Sequence, residues 1–329
     1  MEQRFVITGG AGFIGSNFIR HMIKRYPNYS FVNIDKLTYS GNLNNLLDIE
    51  KEQNYKFFKE DICDRKAMSN ILDEGDVIVN FAAESHVDNS LLDPEIFIKT
   101  NVLGTQVLLD VAREKKAKLF VQISTDEVYG SLSFEQPPSV ETDTLKPSSP
   151  YSASKAAAEM LCFANIHTHK QPIIITRSSN NFGPYQFPEK VIPLFITNII
   201  DGKKVPLYGE GKNVRDWMYV RDNCGAIDTV IHKGSPGEVY NIGGRNEITN
   251  KDLTKLILAI MMKDELHINY VEDRKGHDLR YSLNCSKLCA LGWLPASSFQ
   301  EMLNYTVQWY TSNEGWWRPL KLTQGKRTS

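Results

Sequence analysis

Residues 8–15 read Thr-Gly-Gly-Ala-Gly-Phe-Ile-Gly and separate the apolar run Phe5-Val6-Ile7 from a helical pattern that opens at Phe13. That context restricts the fold more than any other feature of the chain. Gly9, Gly12 and Gly15 permit a tight strand-to-helix turn and a close approach of backbone to a ligand. The helix that follows aims unpaired N–H groups and the positive end of its dipole at whatever occupies the turn, which favours a phosphate. A glycine-rich turn alone is often only a turn; its place between a strand and a helix makes this one a candidate dinucleotide site, with Phe13 and Ile14 at the opening of the helix.

The rest of the first half repeats the alternation. Apolar runs at 5–8, 31–34, 55–58, 77–81, 119–124 and 173–177 read as strands, and 13–26, 65–74, 94–115 and 152–169 as helices. Short apolar strands separated by helices imply a parallel sheet covered on both faces. The expected fold is α/β, a Rossmann-type doubly wound parallel sheet of six strands with a smaller mixed α/β C-terminal lobe. After Arg177 the pattern loosens. Residues 180–185 read as loop, helices are expected at 191–200, 251–262 and 299–313, and short strands at 205–208, 239–241 and 267–270. We therefore expect residues 1–180, rejoined by about 217–242, to form the dinucleotide-binding part, with 181–216 and 243–329 as the lobe.

Composition narrows the partners. The 329 residues carry 38 Lys plus Arg against 39 Asp plus Glu, for a net charge of −1, and no basic cluster precedes the short tail at 321–327, so nucleic acid is not expected as a partner. No apolar segment is long enough to span a bilayer, and Met1-Glu2-Gln3-Arg4 runs directly into the first strand with no room for a signal peptide. We expect a cytoplasmic protein without a membrane partner. The cysteines at 63, 162, 224, 285 and 289 are odd in number and scattered. Cys285 and Cys289 have helical spacing, but no second Cys/His pair completes a zinc site, so reduced thiols and no metal are expected.

Asp35 closes the second strand 20 residues beyond Gly15. A carboxylate there can accept from ribose hydroxyls and would repel a 2′-phosphate, which favours NAD over NADP, although the adjacent Lys36 can blunt that repulsion. Asp61 and Ile62, past the third strand, are placed to border the adenine. Ala82 and Ala83, past the fourth, leave room for the cofactor to pass. Singly, each is as readily structural.

Thr125-Asp126-Glu127 ends the fifth apolar run, and Tyr151 and Lys155 lie four residues apart at the start of a helix, hence on one face. A free phenol has a pKa of about 10, but a fixed ammonium nearby favours its ionised form, so Tyr151 can act as a base while a hydride leaves to nicotinamide. Hydride transfer from a carbinol needs one base only. Two further carboxyl groups imply a second bond broken, with elimination of water the natural candidate. Carboxyls sharing a water-poor site push one pKa upward, which would leave one acid and one base. Neighbours in an extended strand point oppositely, so the pair must sit on a turn; two solvent-facing loop acids would do none of this.

The segments TGGAGFIGSNF, FAAESHVD, STDEVYG, YSASKA, NNFGPYQFPEKVIP, RDWMYV and GHDLRY run from Thr8 to Tyr281. With them the chain resembles the extended short-chain dehydrogenase/reductase family, and within it the nucleotide-sugar 4,6-dehydratases. The Asp-Glu pair is the most discriminating part, since related epimerases and decarboxylases usually lack the aspartate. The resemblance implies tightly bound NAD and dTDP-glucose as substrate. It implies Tyr151 as the base at O4, Thr125 as hydrogen-bond support there, Glu127 as the base at C5 and Asp126 as the acid at the C6 hydroxyl. It also implies that Asn180, Glu189, Lys190, Arg215, Asn250, Arg274 and His277 line the nucleotide diphosphate and sugar, that Ser85 and His86 approach the sugar, and that Tyr208 stacks on the base. Planar bidentate donation to a pyrophosphate makes Arg215 and Arg274 the preferred cation pair. A homodimer packed through 94–115 and 152–169 is implied, with Trp316-Trp317 as a further apolar contact. Asn89, Phe182 and Leu279 depart from the family pattern, Asn89 by removing a cation near the fourth strand. A UDP-glucose 4,6-dehydratase, a nucleotide-sugar 4-epimerase using the same tyrosine and lysine, and a non-catalytic NAD-binding sensor remain as alternatives.

Overall fold

The computed structural model describes residues 3–273 and 276–324; Arg274 lies outside the described residues. The strands are β1 (Arg4–Thr8), β2 (Ser30–Ile34), β3 (Tyr55–Phe58), β4 (Val77–Asn80), β5 (Leu119–Thr125), β6 (Ile173–Ser178), β7 (Asn180–Phe182), β8 (Val205–Tyr208), β9 (Val214–Tyr219), β10 (Val239–Ile242), β11 (Glu247–Thr249) and β12 (Ile268–Val271). Seven form one sheet in the order β10-β6-β5-β4-β1-β2-β3, and every neighbouring pair is parallel.

Alternation along the strands fills two cores. Phe5, Ile7, Phe31, Val79, Val121 and Ile174 face one side of the sheet, while Val6, Val32, Ile78, Phe120, Ile173 and Ile175 face the other. Because both faces are covered, these strands read as unbroken apolar runs. The chain runs from β1 outward through β2 to β3 and then crosses back to place β4 on the other side of β1, which opens a crevice at the carboxyl ends of the strands, where such sheets bind ligands.

The sheet holds seven strands rather than the six expected from the first half. Residues 239–242 form the edge strand β10, with Val239 opposite Ile175, and the helix Val220–Lys233 that leads into it packs on the Phe13–Arg25 helix. The expected loop at 180–185 is corrected too: 180–182 form β7, which pairs with β9 in a three-stranded sheet, β11-β9-β7. A two-stranded pair, β12-β8, completes the smaller part.

The single helix expected over 94–115 is divided. A helix at Pro94–Phe97 passes into a π-helical stretch at Ile98–Gly104 and then a helix at Thr105–Glu114. In the π-helical stretch the buried Asn101 holds the backbone of Glu84 with both ends of its amide, at 2.9 and 3.0 Å, and donates to Ser154 Oγ at 2.8 Å. Such wide turns recur at functional sites. Helix Pro150–His169 starts earlier than its apolar pattern suggests, because Ser149 caps it and Pro150 occupies its first turn.

Trp316 and Trp317 are not a surface patch. Trp317 is buried and donates to Tyr310 O at 2.8 Å; Trp316 donates to Asn45 Oδ1 at 2.9 Å and packs edge-on against Tyr185 and Trp309. Their helix, Glu314–Gln324, therefore fastens the end of the chain back onto the start of the fold. Among the described residues no helix is long and apolar enough to cross a membrane.

Candidate active site

At the carboxyl ends of β1, β2, β4, β5 and β6 one cavity collects Gly9, Gly12, Phe13, Ile14, Gly15, Asp35, Lys36, Asp61, Ile62, Ala82 and Ala83. The glycines are required by space as well as conformation. Gly9 has φ +69°, and a Cβ on it would meet Ala82 N at 2.6 Å; a Cβ on Gly15 would meet Gly9 O at 2.5 Å. Asp35 is fixed by two backbone amides, Ala11 N at 2.9 Å and Leu37 N at 2.8 Å, and burial raises its pKa against those bonds. Lys36 pairs with Asp61 at 2.7 Å, so its charge is partly spent within the protein and blunts the Asp35 carboxylate less than adjacency suggests. A glycine cradle, a fixed carboxylate and a small-residue floor fit an extended dinucleotide.

The same cavity reaches Thr125, Asp126, Glu127, Tyr151 and Lys155. β5 ends at Thr125, and Asp126–Tyr129 form one 3-10 turn, with Thr125 Oγ1 accepting from Glu127 N at 3.2 Å. A turn rather than a strand thus lets consecutive acids line one space. Asp126 is 3% exposed; Thr125 Oγ1 donates to its Oδ1 at 3.2 Å, and its Oδ2 is buried without a partner among the described residues. Burial first, and the Glu127 charge second, raise its pKa well above the carboxylate range, with Arg215 opposing. Both effects favour the protonated form of Asp126.

Tyr151 and Lys155 do not interact as the spacing alone suggests. Lys155 Nζ donates to Ile123 O at 2.6 Å, and burial lowers its pKa to about 8 against the pull of Glu159. Burial, reinforced by Glu127, raises the Tyr151 phenol well above its usual value, with a Thr125 hydrogen bond opposing. The expected lowering of Tyr151 by a neighbouring ammonium is absent from this arrangement because the ammonium is turned to the strand.

Of the expected sugar and nucleotide residues, Ser85, Asn180, Glu189 and Lys190 line the cavity. Lys190 Nζ donates to Ser85 O at 2.9 Å, and Tyr39, which the sequence did not single out, donates to Glu189 Oε1 at 3.1 Å. His86 lies beside this group, its Nδ1 accepting from Asn89 N at 3.4 Å. Burial and the nearby Lys190 lower its pKa. Tyr208, Arg215, Asn250 and His277 are not on the cavity wall. They belong to a neighbouring cluster in the smaller sheets: Arg215 donates to Val214 O at 2.8 Å and Asp278 O at 2.9 Å and stacks on Tyr281 at 4.3 Å. His277 Nδ1 lies 2.7 Å from Asp273 Oδ1 and its ring meets Tyr208 edge-on, while Asn250 opens a helix with its N–H on Asn213 O at 2.9 Å. Arg215 and Tyr281 join this cluster to the acids, since Arg215 acts on Asp126 and Glu127 on Tyr281. Phe182 is a core residue packed against Tyr219 and Phe299.

Sequence reading missed Ser124, Thr100, Ser179 and Gln186 on the wall. Ser124 Oγ, Ser179 Oγ and Gln186 Oε1 are buried without a partner among the described residues, and the positions at the carboxyl ends of β5 and β6 were the available signal for the serines. Among the described residues no group of three or more His, Cys, Asp or Glu could hold a metal ion.

A family model described as GDP-mannose 4,6 dehydratase matches residues 6–306. A dTDP-glucose 4,6-dehydratase of Streptomyces antibioticus is 47% identical over 97% of this chain and 96% of its own. The crystal structure of DesIV, a dTDP-glucose 4,6-dehydratase from Streptomyces venezuelae with NAD and TYD bound, superposes with a TM-score of 0.94 at 45% identity, covering 97% of this chain and 100% of that one. The UDP-glucose 4-epimerase of Thermotoga maritima is more distant, with a TM-score of 0.86 at 31% identity over 94% of this chain and 99% of its own. On a match that takes in both the glycine cradle and the acid turn, the chain belongs to the GDP-mannose 4,6-dehydratase family.

Proposed function

We propose that this chain removes water from dTDP-glucose to give dTDP-4-keto-6-deoxyglucose, with NAD held in the glycine cradle. One observation carries the reading: a buried Asp126, its carboxyl pushed toward the protonated form, stands beside Glu127 in the cavity that also holds Tyr151 and the cradle. A 4-epimerase has no use for that acid pair, and a sensor has no use for the tyrosine or the acids.

NAD held in the glycine cradle would supply a hydride acceptor for C4 and, once reduced, a hydride donor for C6. The chain does the proton chemistry. Tyr151 takes the 4-hydroxyl proton, with Thr125 supporting the oxygen; Lys155 lies one helical turn away, its ammonium held on Ile123 O. The ketone at C4 makes the C5 proton acidic, and Glu127 removes it. Asp126 gives its proton to the departing C6 hydroxyl, releasing one water. C5 is then reprotonated, so the product differs from the substrate by one water and the cofactor ends as it began.

Residues 1–180 with the helix Val220–Lys233 and β10 constitute the dinucleotide part. β9 pairs with β7 and β11 in the smaller sheet, which supports a rejoining at the helix Val220–Lys233. Arg215, Asn250, Tyr208 and His277 serve the nucleotide of the substrate. The protein is cytoplasmic, in keeping with its scattered thiols and balanced charge. It forms a homodimer through an apolar face made by Leu91, Leu92, Ile96, Ile98, Leu103 and Met160, of which Leu92 is 83% exposed. Leu92→Glu should yield monomers in sedimentation; an unchanged mass would exclude this face.

Incubation with dTDP-, UDP-, CDP- and GDP-glucose, followed by product mass, tests the activity. Loss of one water from dTDP-glucose, without net reduction of NAD, is expected. Preferential turnover of UDP-glucose would move the base assignment, an isomer of unchanged mass would indicate epimerisation, and no turnover would leave the sensor.

A further inference from the structure

Behind the Asp126–Tyr129 turn lies a buried ion pair that the proton chemistry does not use. Arg177 of β6 is 2% exposed and Glu159, on the Pro150–His169 helix, 0%. Arg177 Nε lies 3.1 and 3.0 Å from the two Glu159 oxygens, and Nη2 2.6 Å from Oε2. The remaining nitrogen, Nη1, donates to the Tyr129 hydroxyl at 2.7 Å and to Glu141 O at 3.1 Å, and the guanidinium lies over the Tyr129 ring at 4.7 Å. The Tyr129 hydroxyl in turn donates to Asn241 Oδ1 at 2.7 Å. Asn241 is held by Ser139 O at 3.0 Å and by Glu141 Oε1, which accepts from its N–H at 3.0 Å.

Each member belongs to a different part of the site. Tyr129 closes the turn that carries Asp126 and Glu127. Glu159 lies one helical turn beyond Lys155, and Arg177 sits opposite Ser124 in the β5–β6 register. A buried ion pair is weak evidence for stability, because desolvation offsets its attraction. A planar guanidinium engaged along its edge and on its face is strong evidence for fixed geometry.

We propose that Arg177, with Glu159 and Tyr129, is a positioning unit that sets the acid turn against the Tyr151–Lys155 helix, so that Glu127 and Asp126 meet C5 and C6 of a sugar whose O4 is held at Tyr151. This rests on the dehydration reading above. Oxidation at C4 depends on Tyr151, which the helix carries, whereas loss of water depends on the turn. Weakening the unit should therefore slow the second step and spare the first.

Tyr129→Phe keeps the ring and deletes the hydroxyl. In a single turnover with dTDP-glucose, the reduced-nicotinamide absorbance should rise at the wild-type rate and decay about tenfold or more slowly, since a small misplacement of reacting groups has effects of that size. In the protein without substrate, amide hydrogen exchange across 126–129 should be faster. Tyr240→Phe removes another buried tyrosine hydroxyl, bonded to Ser235 N at 2.9 Å, and should leave both phases unchanged. If Tyr129→Phe does not fold, Arg177→Lys, which retains the charge but not the fork, is read in the same way. An unchanged decay with unchanged exchange, or equal slowing of both phases, overturns the inference. A wild-type protein that releases no water overturns the functional reading, and the inference with it.

Discussion

The Lys155 ammonium donates to the carbonyl oxygen of Ile123 at 2.6 Å, so a cation inside the cavity is held by the end of β5. Its pKa falls from the ordinary 10.5 to about 8, chiefly through burial. Between about 8 and 10.5 the unfolded chain binds the proton more readily than the folded one, so below that window the lysine costs the fold on the order of 3 kcal/mol, and the cost fades as pH rises through it. Lys155→Met should therefore abolish turnover while leaving the unfolding temperature at pH 7 at or above that of the wild type. Its relative stability should decline toward pH 10. Thermal denaturation of both proteins across that range checks this; a methionine variant much less stable at pH 7 would show that the Ile123 bond outweighs the buried charge.

Asp126 has the opposite chemistry and a similar consequence. Its pKa is raised by burial and by Glu127, so the folded state retains a proton that the unfolded chain releases above about 3.9. Its contribution to stability is therefore present at low pH and lost as pH rises through the folded value. Asp126→Asn keeps the shape and removes that titration. We expect a flatter dependence of unfolding temperature on pH above 4, no loss of stability at neutral pH, and a fall in dehydration of roughly 10²- to 10⁴-fold, the range for a missing general acid. Near-normal turnover would remove Asp126 from the role of acid at C6.

Glu127 should act one step earlier. Glu127→Gln is expected to let C4 be oxidised and then stall before water leaves, so that reduced nicotinamide accumulates on the enzyme and no dehydrated product appears. Stopped-flow absorbance with quenched product mass distinguishes this from a variant that never oxidises C4. Normal dehydration would refute the assignment of Glu127 at C5.

What the sequence could show divides along physical lines. β1 to β6 were legible because strands buried on both faces read as continuous apolar runs, and the Tyr151–Lys155 spacing was legible because both lie on one helix. β9 was not, since its Arg215 and Asp216 look like surface charges until Asp278 O, Gly244 N and Asn246 N are brought to them from distant positions. The acid pair and its division of roles were legible through the family resemblance, but the protonation of its members was not. That depends on the depth of Asp126 and on Arg215, both set by the fold. The direction of the Lys155 side chain was equally hidden, because spacing fixes a face and not a rotamer.

The glycine cradle gives a prediction that does not depend on catalysis. At Gly15 a Cβ would lie 2.5 Å from Gly9 O and 2.8 Å from Gly10 Cα, all backbone, so nothing can yield without moving the turn. Gly15→Ala should therefore distort the cradle and be purified with markedly less bound NAD than the wild type. Heat-released cofactor measured per mole of protein provides the test; wild-type occupancy would mean that the turn adapts more readily than this packing allows.

A last prediction concerns the helix pair far from the chemistry. Asp228 binds three groups: His21 Nε2 at 2.8 Å, the Tyr26 hydroxyl at 2.8 Å and His232 Nδ1 at 2.8 Å. Arg25 stands 3.2 Å away. These bonds hold the Asp228 carboxyl well below its usual range against the opposing effect of burial, and its hydrogen bond raises the pKa of His232. For the aspartate, the stabilisation is present above the unfolded value of about 3.9 and is lost as pH falls through the lower folded one. For His232 the order reverses: it is fully present below about 6.5 and is lost as pH rises through the raised folded value. The two overlap in mildly acidic solution, so Asp228→Asn should lower the unfolding temperature most near pH 5 to 6 and progressively less above neutrality, with His232→Gln reproducing the part that fades on the alkaline side. Melting curves of the three proteins over that range decide it, and a deficit that stays constant with pH would assign the cluster's role to packing of the two helices rather than to charge.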